Sequence, residues 1–222
     1  MTLAGLETTL QEARERQRRA IKALAPKHKG GEVEEFRAAT AAVLDAERAL
    51  AAAKGEQYAV EIPFTVSWDT GAPLPHLLKS DYRTFLVFFL REIDPRWDGT
   101  YVHVRHPGGP DIDKLGVVEF ERCICTKMGT PNDEVLHGHP LYGKGLVGYR
   151  AQTVENSNWL KELEAINSVH NNYKPDGWRT LKHYILPFHD STFECVAKDL
   201  KVEVRETTLT KLLVELCQRF AE

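Results

Sequence analysis

One apolar run decides the fold class of this chain: YRTFLVFFLR, residues 82–91. In its middle, residues 85–90, apolar side chains occupy both of the alternating faces that an extended segment presents. A strand of this kind is covered on both sides, so the run predicts a central β-strand. It is far shorter than the roughly 20 apolar residues that a membrane-spanning helix needs.

The segment before this run also alternates, in YAVEIPFTVSW, residues 58–68. Apolar side chains fall on one face and polar ones, such as Glu61 and Thr65, on the other, which predicts a half-buried strand. Pro63 has no N–H to donate to a neighbouring strand. The strand is therefore expected at a sheet edge or at a bulge.

Six strands are predicted after the central run, in two groups of three. They are YVHVR (101–105), LGVVEFERCIC (115–125) and GLVGYRAQTV (145–154), then a meander of LKHYILPF (181–188), TFECVA (192–197) and LKVEVRE (200–206). One helix separates the groups, with Asn158 as N-cap and an apolar face over residues 159–169. A second amphipathic helix closes the chain over residues 209–220, capped by Thr207 or Thr208.

This order of elements lacks the regular alternation of strand and helix that builds a parallel sheet. It predicts an α+β fold with a mainly antiparallel sheet covered by the two later helices. The N-terminal residues 1–55 are read as a separate domain, and residues 56–222 form the α+β domain.

Residues 1–55 predict a coiled-coil-like antiparallel helical hairpin. Apolar residues recur on alternating three- and four-residue steps in residues 3–24 and again in residues 33–50. Gln17 and Glu47 each interrupt one of these seams. A seam this narrow predicts packing against the main domain, a second subunit or a protein partner.

Composition bounds the class of protein and of partner. Hydrophobic residues make up 42% of the 222 residues, and Lys+Arg 29 against Asp+Glu 32 gives a net charge of -3. That balance gives no global attraction for nucleic acid, and the basic end of the first helix lacks interleaved aromatic residues. The sequence has no secretory signal or membrane span, so we expect a cytoplasmic protein whose four cysteines are reduced, buried thiols.

A long loop, TKMGTPNDEVLHGHPLYG at residues 126–143, is the first candidate for a site. Leu136, Leu141 and Tyr142 can anchor it, so its length indicates function rather than disorder. Its end continues into GHPLYGKG, residues 138–145, a near match to a phosphate-binding loop that makes Lys144 a candidate anion contact. Gly145 stands where a hydroxyl should hold magnesium, and no helix follows, which argues against an ATPase.

Two histidines in this loop, His137 and His139, lie near Asp133 and Glu134. Imidazole and carboxylate groups are ligands of divalent metals, so His137, His139 and Asp190 form a candidate metal set. The alternative is that the two histidines only hydrogen-bond the loop.

The second candidate site is HDST, residues 189–192, between two predicted strands. We expect Phe188 to face Phe193, with HDST as the hairpin loop. His189, Asp190 and Glu194 offer a base and two carboxyl groups, and Ser191 offers a hydroxyl. Adjacent residues cannot build a nucleophilic triad, so a catalytic site would need His137 or His139 from the long loop. The alternative is a polar turn without function.

Four segments together resemble a family of uncharacterised bacterial proteins: WDTGAPLPHLL, NDEVLHGHPLYGKGL, VENSNWLKELEAINSVH and HYILPFHDSTFE. The resemblance covers about residues 57–200 and omits the helical hairpin. It implies no activity, and it favours treating the polar segments as one unit.

Two hypotheses follow. The first is a hydrolase or phosphodiesterase-like enzyme that uses His137, His139, His189, Asp190 and Glu194, with or without a metal. Lys144, Ser191 and Tyr142 would then contact a small or phosphate-containing ligand. The second is a non-catalytic binding or assembly module whose interface for self-association is the helical hairpin.

Overall fold

The computed structural model describes residues 2–24, 30–92 and 107–221. Its elements are α1 Leu3–Ala23, α2 Gly30–Ala53, β1 Tyr58–Glu61, β2 His76–Lys79, β3 Thr84–Phe89, β4 Asp113–Glu121, β5 Cys125–Gly129, a 3-10 helix Leu136–Gly138, β6 Gln152–Glu155, α3 Asn158–Asn167, α4 Pro175–Arg179, β7 Lys182–Pro187, β8 Thr192–Ala197, β9 Asp199–Thr207 and α5 Leu209–Gln218. The predicted α+β class is confirmed. The predicted strand at 101–105 lies outside the described residues.

The chain divides into two compact units. The first comprises Met1–Val60, Gly138–Val147 and Val154–Asn158, and the second comprises Glu61–His137, Gly148–Thr153 and Trp159–Glu222. The helical hairpin therefore shares its unit with part of the long loop, whereas the sequence suggested a boundary at residue 55. Within the described residues, no helix is both long and apolar enough to cross a membrane.

The first unit is built on the antiparallel hairpin of α1 and α2, as predicted. Thr2 caps α1 by accepting a hydrogen bond from the Gly5 N–H. Four residues fill the seam between the helices: Leu10, Ala13, Val43 and Ala46. At the two ends of the hairpin, Glu7 pairs with Lys54 and Arg16 pairs with Glu35.

Both polar interruptions of the seam have partners inside the first unit. Gln17 Nε2 donates to Thr40 Oγ1 at 3.1 Å. The Glu47 carboxylate accepts from Arg14 Nη2 at 3.2 Å and from the Gly145 N–H at 3.2 Å. Glu47 is 8% exposed, and these contacts satisfy a carboxylate that would otherwise be costly to bury. They also tie the glycine-rich segment to α2.

The strands form two antiparallel sheets, not the single sheet expected from the sequence. Their orders are β1-β6-β7-β8-β5 and β2-β3-β4-β9. The predicted meander is therefore wrong in its last strand: β7 and β8 form a hairpin, but β9 pairs with β4 over nine residues. Lys198 marks the change of sheet, because its N–H already donates to Glu121 O at 2.9 Å.

The main core of the second unit lies between the two sheets. Its inward residues are apolar or aromatic: Leu86, Phe88, Val118 and Phe120 from one sheet, and Tyr184, Leu186, Phe193 and Cys195 from the other. The opposite face of β3 packs on α5 through Leu209, Leu212 and Leu216. All six residues of β3 are buried, which confirms the doubly covered central strand.

Several predicted segments are shorter than expected, and four short elements were missed. β1 ends at Glu61, two residues before Pro63, and it lies at a sheet edge as predicted. The strand predicted at 145–154 begins only at Gln152, because Gly145 and Tyr149 have positive φ angles that an extended strand excludes. The missed elements are β2, β5, the 3-10 helix and α4. α5 begins at Leu209 and is capped by Thr208, one of the two predicted caps.

The apolar face predicted for the helix at 159–169 is only partly correct. α3 ends at Asn167, and its Ile166 is 61% exposed. Val169, beyond the helix end, is 85% exposed. Trp159 and Leu163 of the predicted face are half-buried, and the Trp159 ring meets the His183 ring at 5.1 Å.

The four cysteines are free thiols, and Cys123 has an unusual environment. Cys123 and Cys195 are buried, whereas Cys217 is exposed, contrary to the expectation that all four are buried. A hydrogen bond with Cys195 is the main factor that lowers the pKa of Cys123 to about 7, and Thr84 and Lys79 act in the same direction. Burial opposes the shift.

This lowered pKa predicts a stability that depends on pH. The unfolded thiol holds its proton up to its ordinary pKa of about 8.5, so the stabilisation is complete above that pH and is lost as the pH falls through about 7. Relative to Cys123→Ala, the free energy of unfolding should rise by about 1–2 kcal/mol between roughly pH 7 and pH 9. Urea unfolding under reducing conditions measures this. Parallel pH profiles for the two proteins would contradict it.

Candidate functional site

The hairpin between β7 and β8 turns at His189 and Asp190. The Phe188 N–H donates to Ser191 O at 2.8 Å and closes the turn. The prediction that Phe188 faces Phe193 is wrong, because Phe193 pairs with Leu186. Pro187 ends β7 and Thr192 begins β8, so the connection is residues 188–191 rather than HDST, residues 189–192.

The long loop reaches this turn, but through Asp133 rather than through the His137 or His139 that the enzyme hypothesis requires. The Asp133 N–H donates to His189 O at 2.9 Å, and Thr192 Oγ1 donates to Pro131 O at 2.9 Å. The first four residues of the predicted loop, 126–129, lie in β5, which pairs with β8. That pairing positions the segment around Asp133 beside the hairpin tip.

Three side chains meet at the tip: Asp133, Tyr149 and His189. His189 Nδ1 lies 2.9 Å from Asp133 Oδ2 and 3.0 Å from the Tyr149 hydroxyl. The Tyr149 hydroxyl donates to the same Asp133 oxygen. A lone pair on Nδ1 would point at a carboxylate oxygen, which is unfavourable, so Nδ1 carries the proton. The neutral imidazole therefore has its lone pair on Nε2.

The charges of this group are fixed by its own hydrogen bonds. The hydrogen bond from Tyr149 is the main factor that lowers the pKa of Asp133, and His189 adds to it. Burial, followed by the hydrogen bond to Asp133, raises the pKa of Tyr149 well above its ordinary value. At neutral pH the Asp133 carboxylate is therefore ionised and the Tyr149 phenol is protonated, as donation from Tyr149 requires.

The other nitrogen of His189 is available to solvent and to ligands. The His189 side chain is 39% exposed, while that of Asp133 is 26% exposed. Asp190, 72% exposed, places Oδ1 3.9 Å from Nε2. An imidazole held at Nδ1 by a carboxylate and open at Nε2 can accept a proton from water or a ligand, and it can return that proton.

The backbone conformation at Tyr149 was not foreseen from the sequence. Its φ of 60° is uncommon for a residue other than glycine, and its N–H donates to Pro187 O at 3.1 Å. Such a conformation persists only when its surroundings hold it, and it occurs often at functional sites. The sequence offered no signal for this role, since Tyr149 stands alone between Gly148 and Arg150.

The two loop histidines do not join this group. His137 is exposed in the 3-10 helix, and its Nδ1 lies 3.1 Å from Glu134 O. His139 accepts from the Leu141 N–H at Nδ1 and belongs to the first unit. The hydrogen-bond partners of His189 are Asp133 and Tyr149 instead.

Glu194 is also separate from His189. It contacts His183 Nε2 at 2.8 Å, on the face of the β7–β8 sheet away from the main core. His183 is 4% exposed there, and its ring meets Trp159, over which Lys127 Nζ lies at 3.8 Å. The structure thus pairs Glu194 with His183, a histidine of β7 that is not among the predicted site residues.

The predicted ligand contacts have other environments. Lys144 Nζ lies 2.7 Å from Glu56 Oε2 in the first unit, where its hydrogen bond lowers the pKa of Glu56. Ser191 uses its carbonyl to close the turn, and Tyr142 is 59% exposed. In residues 2–24, 30–92 and 107–221, no group of three or more His, Cys, Asp or Glu side chains could hold a metal ion.

Comparison with known proteins adds no assignment. No protein-family model matches the chain, and no curated protein or solved structure is significantly similar to it. The resemblance to uncharacterised bacterial proteins therefore stays a prediction, and any function has to be argued from the geometry itself.

Proposed function

We propose that this protein is a hydrolase of ester or phosphodiester bonds in which His189 is the general base. The observation that carries the proposal is the Asp133–His189 contact of 2.9 Å at Nδ1, which leaves Nε2 as the accepting nitrogen at an exposed hairpin tip. A general base needs this combination of a fixed tautomer and an accessible lone pair.

In the proposed reaction, a water molecule gives one proton to His189 Nε2 as its oxygen bonds to the carbonyl carbon or the phosphorus. The Asp133 carboxylate stabilises the imidazolium that forms, and Asp190, 3.9 Å from Nε2, stabilises the same charge. As the bond to the leaving oxygen breaks, the imidazolium returns its proton to that oxygen. Tyr149 keeps its proton throughout and holds Asp133 in place.

Two chromogenic substrates test the proposal: p-nitrophenyl acetate for carboxylic esters and bis(p-nitrophenyl) phosphate for phosphodiesters. We expect turnover of one class, and His189→Gln should lower the rate constant about 10²- to 10⁴-fold, the usual contribution of general acid–base catalysis.

His137→Gln and His139→Gln are the matched controls, because they make the same change at the two loop histidines. Their rates should stay close to that of the native chain. An equal loss in either control would favour the two-histidine site predicted from the sequence. Absence of turnover with both substrates, or a His189→Gln variant as active as the native chain, would refute the proposal.

The alternative of an assembly module built on residues 1–55 has less support. The seam of the helical hairpin is filled from within by Leu10, Ala13, Val43 and Ala46, so burying it needs no second subunit. Self-association through the hairpin therefore stays a prediction of the sequence alone.

A further inference from the structure

The second unit has an open groove of about 540 Å³, which lies where the chain runs from the end of α3 into α4. Ligand sites in proteins commonly have volumes of roughly 300–1,000 Å³. The residues that matter here are polar or aromatic and share this one surface: Arg122, His170, Tyr173, Lys174 and Trp178. None of them belongs to the His189 group.

The groove presents hydrogen-bond donors that suit an anion. Arg122 and Lys174 are cations, and the hydrogen-bond contact of the Arg122 guanidinium is a long one to a backbone carbonyl, Gly177 O. The Asn172 N–H donates to His170 Nδ1 at 3.1 Å, which leaves a proton on Nε2 of the neutral ring. Asp176, a carboxylate that lines the groove, forms an exposed ion pair with Arg179 at 2.8 Å.

Arg122 is held in place by its backbone conformation and by contacts with Gly177. Its backbone has a φ of 50°, uncommon for a residue other than glycine. Its guanidinium packs on Gly177, where a Cβ would come within 3.2 Å of Nη2, and Nη1 makes a long contact of 3.5 Å with Gly177 O. A planar guanidinium held this way can bind a phosphate or carboxylate through two parallel hydrogen bonds.

Two aromatic rings lie in the same groove as these donors. The Tyr173 hydroxyl donates to Glu164 Oε1 at 2.6 Å, which fixes its ring, and the Trp178 ring is partly buried. Aromatic faces stack on planar ligand rings, each stacked base contributing about 1–3 kcal/mol to binding.

We propose that this groove binds a small anion that carries a planar ring, with mononucleotides as the ligand class. Arg122 and Lys174 hold the phosphate, His170 donates to it, and Trp178 stacks on the base. The proposal concerns binding and is independent of whether His189 is catalytic, so a binding assay without turnover tests it separately.

Three probes separate the parts of the ligand in isothermal titration calorimetry: AMP, adenosine and inorganic phosphate. AMP should bind with a Kd below about 1 mM, and each of the other two at least about tenfold more weakly, because each lacks one half of the contacts. Binding of adenosine or phosphate as tightly as AMP would overturn the proposal. So would failure of AMP to saturate the protein.

Two substitutions locate the site. Arg122→Gln should weaken AMP binding about tenfold, the usual effect of losing a hydrogen bond to a charged group. Lys161→Gln removes the same charge from α3 outside the groove and should change the affinity less than about twofold. Equal affinities for Arg122→Gln and the native chain, or equal losses in both variants, would place AMP elsewhere and overturn the proposal.

Trp178→Phe supplies a second readout. AMP should quench the tryptophan fluorescence of the native chain, and the quenching should be lost in Trp178→Phe. Because phenylalanine still offers a ring for stacking, the affinity should stay within about threefold of the native value. Undiminished quenching in Trp178→Phe would show that AMP stacks elsewhere and would contradict the assignment.

Discussion

Gly145→Ala is expected to lower the free energy of unfolding by about 2–5 kcal/mol, from roughly 1–2 kcal/mol of backbone strain and 1–3 kcal/mol of overpacking. The φ of Gly145 is +85°, a conformation that residues with a Cβ rarely adopt. An added Cβ would also lie 2.5 Å from Ala59 O and 2.8 Å from Arg48 Cγ and Nε.

The neighbours of Gly145 cannot simply move away. Ala59 O accepts from Arg48 Nε at 2.9 Å, and the Ala59 N–H donates to Lys144 O at 2.9 Å. The Gly145 N–H donates to the buried carboxylate of Glu47 at 3.2 Å. A shift that made room for a methyl group would stretch these hydrogen bonds, and buried polar groups that lose their partners cost about 1–3 kcal/mol each.

The same segment supplies two graded controls for a urea unfolding series followed by far-UV circular dichroism. Gly143 has a φ of +71° but only Arg14 Nη2 nearby, at 3.8 Å, so Gly143→Ala should cost the strain alone, about 1–2 kcal/mol. Gly138 has nothing within 4 Å and no positive φ, so Gly138→Ala should change the stability by less than about 0.5 kcal/mol. Equal stabilities of the three variants would contradict the argument.

This segment shows how a sequence pattern can be recognised and still misread. GHPLYGKG matches a phosphate-binding loop except at its last position. There Gly145 replaces the residue whose hydroxyl would hold magnesium. The structure gives a local reason for that glycine: only a residue without a Cβ fits between Arg48 and Ala59. Spacing in the sequence can indicate a turn, but it cannot show which backbone will approach it.

Local patterns predicted the elements better than their pairing. The continuous apolar run through Phe85–Leu90 gave the central strand, because burial on both faces leaves a signature in the run itself. The alternation in β9 gave a strand but not its neighbour, since a half-buried edge pairs equally well with any strand of suitable register. The structure shows that it joins β4, through nine residue pairs and the hydrogen bond from the Lys198 N–H to Glu121 O.

For the site, the sequence indicated the place and missed the partners. His189 and the long loop do meet, but the residue that arrives is Asp133 rather than His137 or His139. The path of the loop depends on the pairing of β5 with β8, and that pairing was not predicted. Tyr149 comes from a third segment with a positive φ, a conformation usually expected of glycine or asparagine.

Asp133→Ala is expected to move the proton of His189 from Nδ1 to Nε2. In the native chain, the Asp133 carboxylate accepts hydrogen bonds from both Nδ1 and Tyr149. Without that acceptor, the Tyr149 hydroxyl, 3.0 Å from Nδ1, can donate to the ring nitrogen instead. Nδ1 then carries the lone pair and Nε2 the proton, so the exposed nitrogen can no longer accept one.

This change of tautomer should lower activity as strongly as loss of the imidazole itself. If His189 is the general base, the rate constant of Asp133→Ala should fall about 10²- to 10⁴-fold. Tyr149→Phe is the matched control: Asp133 still accepts from Nδ1, so the tautomer stays unchanged and the rate should fall less than about tenfold. In the double variant, Asp133→Ala with Tyr149→Phe, part of the protein should regain the tautomer with the proton on Nδ1, because no hydroxyl remains to donate to Nδ1.

The tautomer can be measured without any substrate, from the ¹⁵N chemical shifts of His189 in long-range ¹H–¹⁵N correlation spectra. Native protein at a pH where the ring is neutral should show a protonated Nδ1, and Asp133→Ala a protonated Nε2. A native spectrum with the proton on Nε2 would remove the basis for a general base at the tip, whatever the activity. If the tautomers are as expected but the rate of Asp133→Ala equals that of the native chain, His189 is not the general base. The Asp133–His189 hydrogen bond then only stabilises the packing of the loop on the hairpin.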